Sequence, residues 1–338
     1  MFKKWCFKLS EELTLREQEI LTILKQEPML SQDDLSKRLG ISRSAAAVHI
    51  SKLVKKGYII GRGYVFNERV GIAVMGAGLE EIHGDYNMEQ IYSEQGGPMI
   101  QVAENLTNLG VPVTILSILG RDSAGEQIFS RLNSARVNTN HIVWSTENNT
   151  AKMTRLVAEH HCSSVKDYTI LEELDINLLY KNKRMLTNCE YLVLDNSLPY
   201  ITLINAVQTA VQKEVQVVLH ITNQYSTYPL HELLPNIALL VCGNKELTSI
   251  SGDINLNLKS MRNMVKDFLD AGLQAAVITI DGEGVLIEGG EERSMLPLPP
   301  NIDTEMDKAR TKIISGILYA LLRNQSYRQG VRLGLGLR

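Results

Sequence analysis

Between Asn301 and Leu322 the chain reads NIDTEMDKARTKIISGILYALL. Three acids (Asp303, Glu305 and Asp307) come first, then two cations (Lys308 and Arg310), then Thr311 at the head of an apolar helical run containing Gly316. A carboxylate in such a place can take a proton from a hydroxyl near neutral pH, whereas a threonine side chain cannot. The stretch reads first as a solvated charged loop; the other reading makes Asp307, four residues before Thr311, a displaced base, ahead of Asp303 and Glu305. Lys308 and Arg310 attract phosphate by charge. Their bulk works against the close backbone approach by which glycine N–H groups hold an anion at a helix start.

Other residues carry weaker signals. Asp195 ends a strand-like run, where open sheets bind ligands, and it also suits the turn before Pro199. Asp122 fits either a ligand pocket or a turn and helix cap. His220 lies on an apolar strand and reads as a satisfied core or strand-end histidine in preference to a ligand. His160 and His161 are adjacent and face opposite ways in an extended chain, so no metal site is expected. Cys6, Cys162, Cys189 and Cys242 are scattered without a C-x-x-C pair, as in reduced cytosolic proteins.

Two regions must position these groups. Residues 1–68 carry 12 Lys+Arg against 8 Asp+Glu, and the remainder carries 23 against 30, so a mildly basic head precedes an acidic body. In the head, Thr14 and Glu17 form a capping box for a first helix, and Pro28 ends it. Ser31 caps a second helix that stops at Gly40, and Ser42 caps a third that ends at Gly57. Two short β-prone runs surround Gly61–Gly63. Helix, helix, turn, helix, hairpin is the plan of a winged helix-turn-helix DNA-binding domain, with a three-helix dimerisation module bearing a solvated basic face as the other reading. Its third helix would enter the major groove with Ser42, Arg43 and Ser44 first and His49 and Lys52 further along. Arg62 of the wing would lie near phosphates, and the small Ala45–Ala47 allow close approach. One head makes too few contacts for tight operator binding, so a homodimer on paired half-sites is expected.

In residues 69–338, apolar runs at 70–75, 113–116, 191–194, 215–221, 238–241, 275–280 and 285–288 read as strands alternating with helices. That is a doubly wound α/β domain. No apolar run approaches the roughly 18 to 20 residues of a membrane span, and the N-terminus lacks a signal-peptide core. A cytoplasmic protein without a membrane partner is expected.

The body resembles the ribokinase-like (PfkB) sugar kinases through landmarks in chain order. VMGAGLEEIHGD is similar to the family's opening I-G-G-A-N-x-D-x-x-G, with Glu81 at the substrate-binding Asp position and Leu79 at the Asn. QGGPMIQVAENLTNLG is similar to G-G-x-x-x-N-x-A-x-x-L-x-x-L-G, keeping Gly96 and Gly97 but placing Gln101 at the sugar-contacting Asn. ILGRDSAGE matches G-x-D-x-x-G through Asp122. CGNKEL is similar to P-N-x-x-E near the phosphates: Asn244 is kept, Gly243 replaces Pro, and Glu246 falls one place short. VITIDGEGVLI is close to V-x-T-x-G-x-x-G-V, with Thr279, Gly282 and Gly284 in the nucleotide region and Asp281 in place of a glycine. The final D-T-x-G-A-G-D-x-x-x-x-G keeps Gly316 but has Thr311 at the catalytic aspartate, with Lys308, Ala309 and Arg310 at the anion-hole positions. Relative to the family the domain is shortened at its C-terminus, ending soon after Gly334.

The resemblance implies a ribokinase-like fold that binds a sugar, nucleoside or phosphorylated metabolite through Glu81, Gly96, Gly97, Gln101 and Asp122. With Thr311 in place of the base, the expectation is a pseudokinase serving transcription regulation, without a required cofactor. The alternative is an active kinase for a sugar or a nucleoside such as pseudouridine, using ATP and Mg²⁺, with Asp307 as a displaced base.

Overall fold

The computed structural model describes residues 14–337 apart from 28–29, 56–57, 62–64, 67–70, 86–90, 158–161, 224, 226–229, 252–256, 291 and 300–305. The chain divides into two compact units at Arg69–Val70.

The first unit holds α1 (Leu15–Gln26), α2 (Gln32–Leu39), α3 (Arg43–Lys55) and an antiparallel pair, β1 (Ile59–Gly61) and β2 (Val65–Phe66). Local chemistry sets its helix ends. The Thr14 hydroxyl accepts from Glu17 N–H at 3.2 Å while the Glu17 carboxylate accepts from Thr14 N–H at 3.0 Å, the reciprocal capping box. Ser31 caps α2 by accepting from Asp34 N–H at 3.1 Å, and Gly40 stops it in the left-handed conformation, φ 62°. Ile20, Leu24, Leu35, Ala46, Leu53 and Ile59 bury together and fix the three helices against β1.

The second unit is a nine-stranded sheet with helices on both faces, plus a separate four-stranded sheet. The large sheet runs β15 (Glu292–Leu296), β14 (Gly284–Gly289), β13 (Ala275–Ile280), β12 (Leu239–Gly243), β11 (Gln216–His220), β10 (Tyr191–Asp195), β3 (Ile72–Met75), β6 (Val113–Leu119), β7 (Asn138–Trp144). The seven strands from β13 to β7 are parallel, and β14 and β15 are added antiparallel. Each central strand is apolar on both faces because both faces are covered. One face packs under α4 (Pro98–Asn108) and α11 (Met306–Leu321), with Val74, Val193, Val218, Val241 and Val277 pointing to it. The other packs under α8 (Tyr200–Val211) and α10 (Leu258–Asp270).

The small sheet was not predicted from the sequence. Its order is β5 (Ile91–Gly96), β4 (Leu79–Asp85), β8 (Ala151–Val157), β9 (Cys162–Asp167). Glu81 therefore lies on a strand of this small sheet.

Gly316 earns its place by packing. A Cβ there would collide with the carbonyl oxygen of Gly330 and come within 2.6 Å of the amide nitrogen of Gly334, both on α12 (Tyr327–Gly334). Gly330 and Gly334 in turn lie against the backbone of Ile317 and Ile313. The two helices touch backbone to backbone because all three contact residues lack side chains. Gly316→Ala gains up to about 1 kcal/mol of helix propensity but forces an overpacking cost of about 1–3 kcal/mol. We therefore expect a net loss of stability, read as a lower urea midpoint; a midpoint unchanged or raised would show that α12 lifts away freely.

Candidate functional site

The carboxyl ends of the parallel strands place one polar row on the α4/α11 face. Side chains two apart on a strand share a face. Gly76, Asp195, His220, Gly243 and Thr279 thus follow Val74, Val193, Val218, Val241 and Val277 onto the face covered by α4 and α11. Adjacent members are fixed by register: Asp195 pairs with His220 across β10 and β11, and Gly243 with Thr279 across β12 and β13. The Asn196 side chain ties the ends of β10 and β11 together, donating to the Thr222 carbonyl at 2.9 Å and accepting from its N–H at 3.0 Å.

Arg310 reaches down onto this row from α11. Its side chain is 5% exposed and forms a two-pronged pair with Glu246 in the first turn of α9 (Asn244–Ser251), Nη1–Oε2 3.1 Å and Nη2–Oε1 3.3 Å. Nη1 also lies 3.3 Å from the Thr279 hydroxyl. Glu246 accepts further from the backbone N–H groups of Gly243 at 2.9 Å and Asn223 at 3.3 Å. A Cβ on Gly243 would collide with Arg310 Nη1 and Glu246 Oε2, so the guanidinium fills space that any other residue at position 243 would take. Arg310 was expected as a charge available to phosphate; here it is engaged internally.

Thr311 is also committed. Its hydroxyl donates to the Lys308 carbonyl at 2.8 Å and lies 3.2 Å from the Gln101 carboxamide oxygen. Lys308 Nζ pairs with Glu94 of β5 at 2.9 Å. Asp307 lies in the first turn of α11, and its side chain, with Asp303 and Glu305, falls outside the described residues.

Asp195 and His220 are wholly buried. Asp195 Oδ1 accepts from the Ser197 hydroxyl and, at 3.1 Å, from the Ser197 N–H. Its Oδ2 has no hydrogen-bond partner among the described residues, nor has either ring nitrogen of His220. That corrects the expectation of a satisfied core histidine. Burial pushes the Asp195 carboxyl up to about 7, against the lowering effect of the Ser197 hydrogen bonds. Burial, helped by the Arg310 charge, pushes His220 down to about 3.

The remaining predicted positions separate into groups. Glu81 faces His83 on β4 at 3.7 Å. Its charge adds to burial in raising the pKa of Tyr168 and Tyr225, whose rings are 5.3 Å apart and whose hydroxyls have no hydrogen-bond partner among the described residues. Neither tyrosine was singled out from sequence; both fall in irregular polar stretches without a motif. Gly97 opens α4 at φ 102°, where a Cβ would come within 2.8 Å of the Ala77 carbonyl, whereas Gly96 has room. Asp122 serves as a cap: its carboxylate accepts from Gly125 N–H at 2.8 Å, Thr150 N–H at 2.7 Å and the Thr150 hydroxyl at 2.8 Å. Burial would raise its pKa, but these hydrogen bonds outweigh it and the net shift is downward. These bonds give Asp122 the turn-and-cap role that is one of its two expected readings.

Asn244 begins α9, with its Oδ1 buried and without a hydrogen-bond partner among the described residues. Gly282 (φ 72°) and Gly284 shape the β13–β14 turn, and Asp281 pairs with Lys245 at 2.8 Å. Among the described residues no cluster of acids, histidines and cysteines is arranged to hold a metal, and no helix is long and apolar enough to cross a membrane.

In the first unit, Ser42 caps α3 by accepting from Ala45 N–H at 3.1 Å and lies 3.0 Å from the Ser44 hydroxyl. Arg43, Ser44 and Lys52 are exposed, and Arg43 makes only a solvent-exposed pair with Asp33 at 3.2 Å. His49 is half-buried, with Nδ1 turned inward. Arg62 lies outside the described residues.

Comparison with known proteins agrees with both units. The sequence model of the pfkB family of carbohydrate kinases matches residues 76–304. The chain belongs to the pfkB family. Residues 13–60 match winged helix-turn-helix DNA-binding domains. The "uncharacterized sugar kinase YeiI" of Escherichia coli K12 is 26% identical over 329 residues, covering 94% of this chain and 90% of that protein. The 1-phosphofructokinase of Borreliella burgdorferi is 21% identical, covering 71% and 78%. Arabidopsis thaliana ribokinase complexed with ribose and ATP superposes with a TM-score of 0.69 at 16% identity, covering 78% of this chain and 90% of that one. Thermotoga maritima ribokinase superposes at 0.67 with 15% identity, covering 79% and 90%. At such identities the superpositions speak for the ribokinase-like fold alone. PfkB kinases in general use ATP and Mg²⁺.

The two buried groups of the polar row give opposite pH dependences. Asp195 has a folded pKa of about 7 against 3.8 unfolded, so its contribution is fully present below 3.8 and lost as pH rises through 7. The loss is on the order of 4 kcal/mol. His220 has a folded pKa of about 3 against 6.5 unfolded, so its contribution is present above 6.5 and lost as pH falls toward 3. Urea midpoints between pH 4 and pH 8 should rise on the alkaline side in Asp195→Asn and on the acidic side in His220→Gln. Parallel profiles for wild type and both variants would refute the assignment.

Proposed function

We propose that this pfkB-family protein is a DNA-binding transcriptional regulator whose body senses a small ligand and does not transfer phosphate. The observation that carries the reading is the Arg310–Glu246 pair. Phosphoryl transfer needs a base near the accepting hydroxyl and open donors around the moving phosphoryl group. In the second turn of α11 a threonine stands in the place of the base, with its hydroxyl bonded to the Lys308 carbonyl. A guanidinium already paired to a carboxylate fills the space above Gly243. A nucleoside triphosphate does not fit these residues: its phosphates would meet the Glu246 carboxylate and compete for an arginine that is already neutralised. No ATP or Mg²⁺ step is assigned.

The first unit supports the DNA half of the reading. Arg43, Ser44 and Lys52 are exposed on α3, the helix that winged helix-turn-helix domains place in the major groove. The exposed Arg43–Asp33 pair is worth less than about 1 kcal/mol and yields readily to a base or phosphate. We assign the protein as a homodimer that sets two heads on paired half-sites. A sugar, nucleoside or related metabolite bound in the body changes operator affinity through a coupling free energy of about 1–3 kcal/mol.

Purified full-length protein should show no ligand-dependent ATP turnover over a panel of sugars and nucleosides. Turnover that disappears in Asp307→Asn would overturn the reading. Arg43→Ala should weaken specific operator binding by about 1–3 kcal/mol in gel shifts; unchanged affinity would remove α3 from the groove.

A further inference from the structure

One large apolar side chain on α3 stands outside the packing of the first unit. Val48 is 54% exposed. Ala46, Ile50 and Leu53 turn inward to the core of the unit. At about 3.6 residues per turn, the side opposite them runs through Ser44, Val48 and Ser51, all exposed. Val48 is the middle of that line. Lys52 is exposed on one flank of it, and Arg43 and Val54 on the other. His49, expected to face the groove, is half-buried with Nδ1 turned inward, so the outward position belongs to its neighbour.

Charge and size restrict what covers it. The sequence of α3 carries Arg43, Lys52 and Lys55 and no acid, which suits a negatively charged partner. A second copy of the same face would bring like charges together around a single valine, far below the apolar area that a stable dimer buries. DNA fits better: cations at the flanks go to phosphates while the centre of the helix meets base edges. Among the bases only thymine presents a methyl group in the major groove. Adenine, guanine and cytosine offer only donors and acceptors there, which a valine would strip of water without replacing it. A β-branched side chain in a helix is already held near one rotamer, so it loses little freedom in making the contact. The small Ala45 and Ala47 beside Val48 do not hold the helix away from the bases.

We propose that Val48 is a specificity-determining residue of the head: its methyl groups pack on the C5-methyl of a thymine in the major groove and fix the identity and orientation of one A·T pair in each half-site. The proposal rests on the head binding DNA, and it adds which base is read and by which side chain.

The test uses the full-length protein and a DNA duplex that it selects from a random-sequence pool. Deoxyuridine then replaces thymidine one position at a time, which removes the methyl group and keeps the base pair. Gel shifts give the affinities of wild type, Val48→Ala and Arg43→Ala. At one position in each half-site, uracil should weaken wild type about fourfold, the worth of one buried methyl group. That penalty should vanish in Val48→Ala and persist in Arg43→Ala. Val48 is exposed, so Val48→Ala should keep the wild-type melting temperature. The wild-type scan stands without any variant: no methyl-sensitive position overturns the proposal. The same uracil penalty in wild type and Val48→Ala overturns it too, and in both cases the regulator reading survives. Loss of self-association in Val48→Ala, with the uracil penalty kept, would make this side of α3 a contact between copies and would also overturn it. A pool that yields no preferred duplex sinks the regulator reading itself, and the proposal with it.

Discussion

A guanidinium and a carboxylate closed away from water hold the carboxyl end of the large sheet in its present form. Taking two charges out of water costs several kcal/mol per ion, which mutual attraction offsets only when the remaining lone pairs and protons find partners. Here they do. Glu246 receives both Arg310 prongs and two backbone N–H groups, and Arg310 also meets the Thr279 hydroxyl. Glu246 sits in the first turn of α9, where the helix dipole favours a negative charge. The pair dictates a glycine at 243, because the guanidinium occupies the place of a Cβ there. It also fixes the first turns of α11, and with them Thr311 and its contact to Gln101. A loop that had merely lost its catalytic residues would show no such mutual fit. Three substitutions relative to the kinase pattern, at 243, 246 and 310, make sense only together.

Burial, with the Arg310 charge added at His220, sets the electrostatics of the neighbouring row. His220 lies one strand from Arg310, and burial and that charge both drive it neutral. Asp195 lies one strand further, and burial alone drives its carboxyl toward the protonated form. The row therefore runs from a satisfied ion pair to two groups that prefer to be uncharged.

Much of this was legible in the residues, and the rest was not, for physical reasons. The central strands announce themselves as continuous apolar runs because both faces are buried. The head announces itself through caps: Thr14 with Glu17, Ser31, Gly40 and Ser42 all act where their chemistry predicts. The small sheet was invisible. β4 reads LEEIHGD and β9 reads CSSVKD, with polar residues on both faces, so no alternation marks them as strands. Arg310 could be read as bulky and charged, but its partner lies 64 residues upstream, and nothing local couples the two positions. Gly243 was visible as a departure from the family proline without its cause. His220 was misread because an apolar strand context says that a histidine is buried, and says nothing of whether its nitrogens are satisfied. Tyr168 and Tyr225 escaped notice because their proximity is created by the fold.

The contrast between two ion pairs bears on how such a body could signal. A ligand shifts a conformational equilibrium only by its difference in affinity for the two states. Signalling therefore needs one part of the site held fixed and another free to move. Arg310–Glu246 is buried and multiply bonded, and breaking it would strand a charge at a cost of about 3–5 kcal/mol. Lys308–Glu94, which ties the head of α11 to β5 of the small sheet, has side chains 37% and 45% exposed. A pair so exposed contributes less than about 1 kcal/mol. Other contacts also hold the small sheet: Arg131 donates to the Gln95 carbonyl of β5, and Leu79, Ala151 and Met153 are buried in the core. A ligand touching Glu81 on β4 from one side and the polar row from the other would favour the closed arrangement by the energy of those contacts. The Arg310–Glu246 pair is thus held far more firmly than the link from α11 to β5.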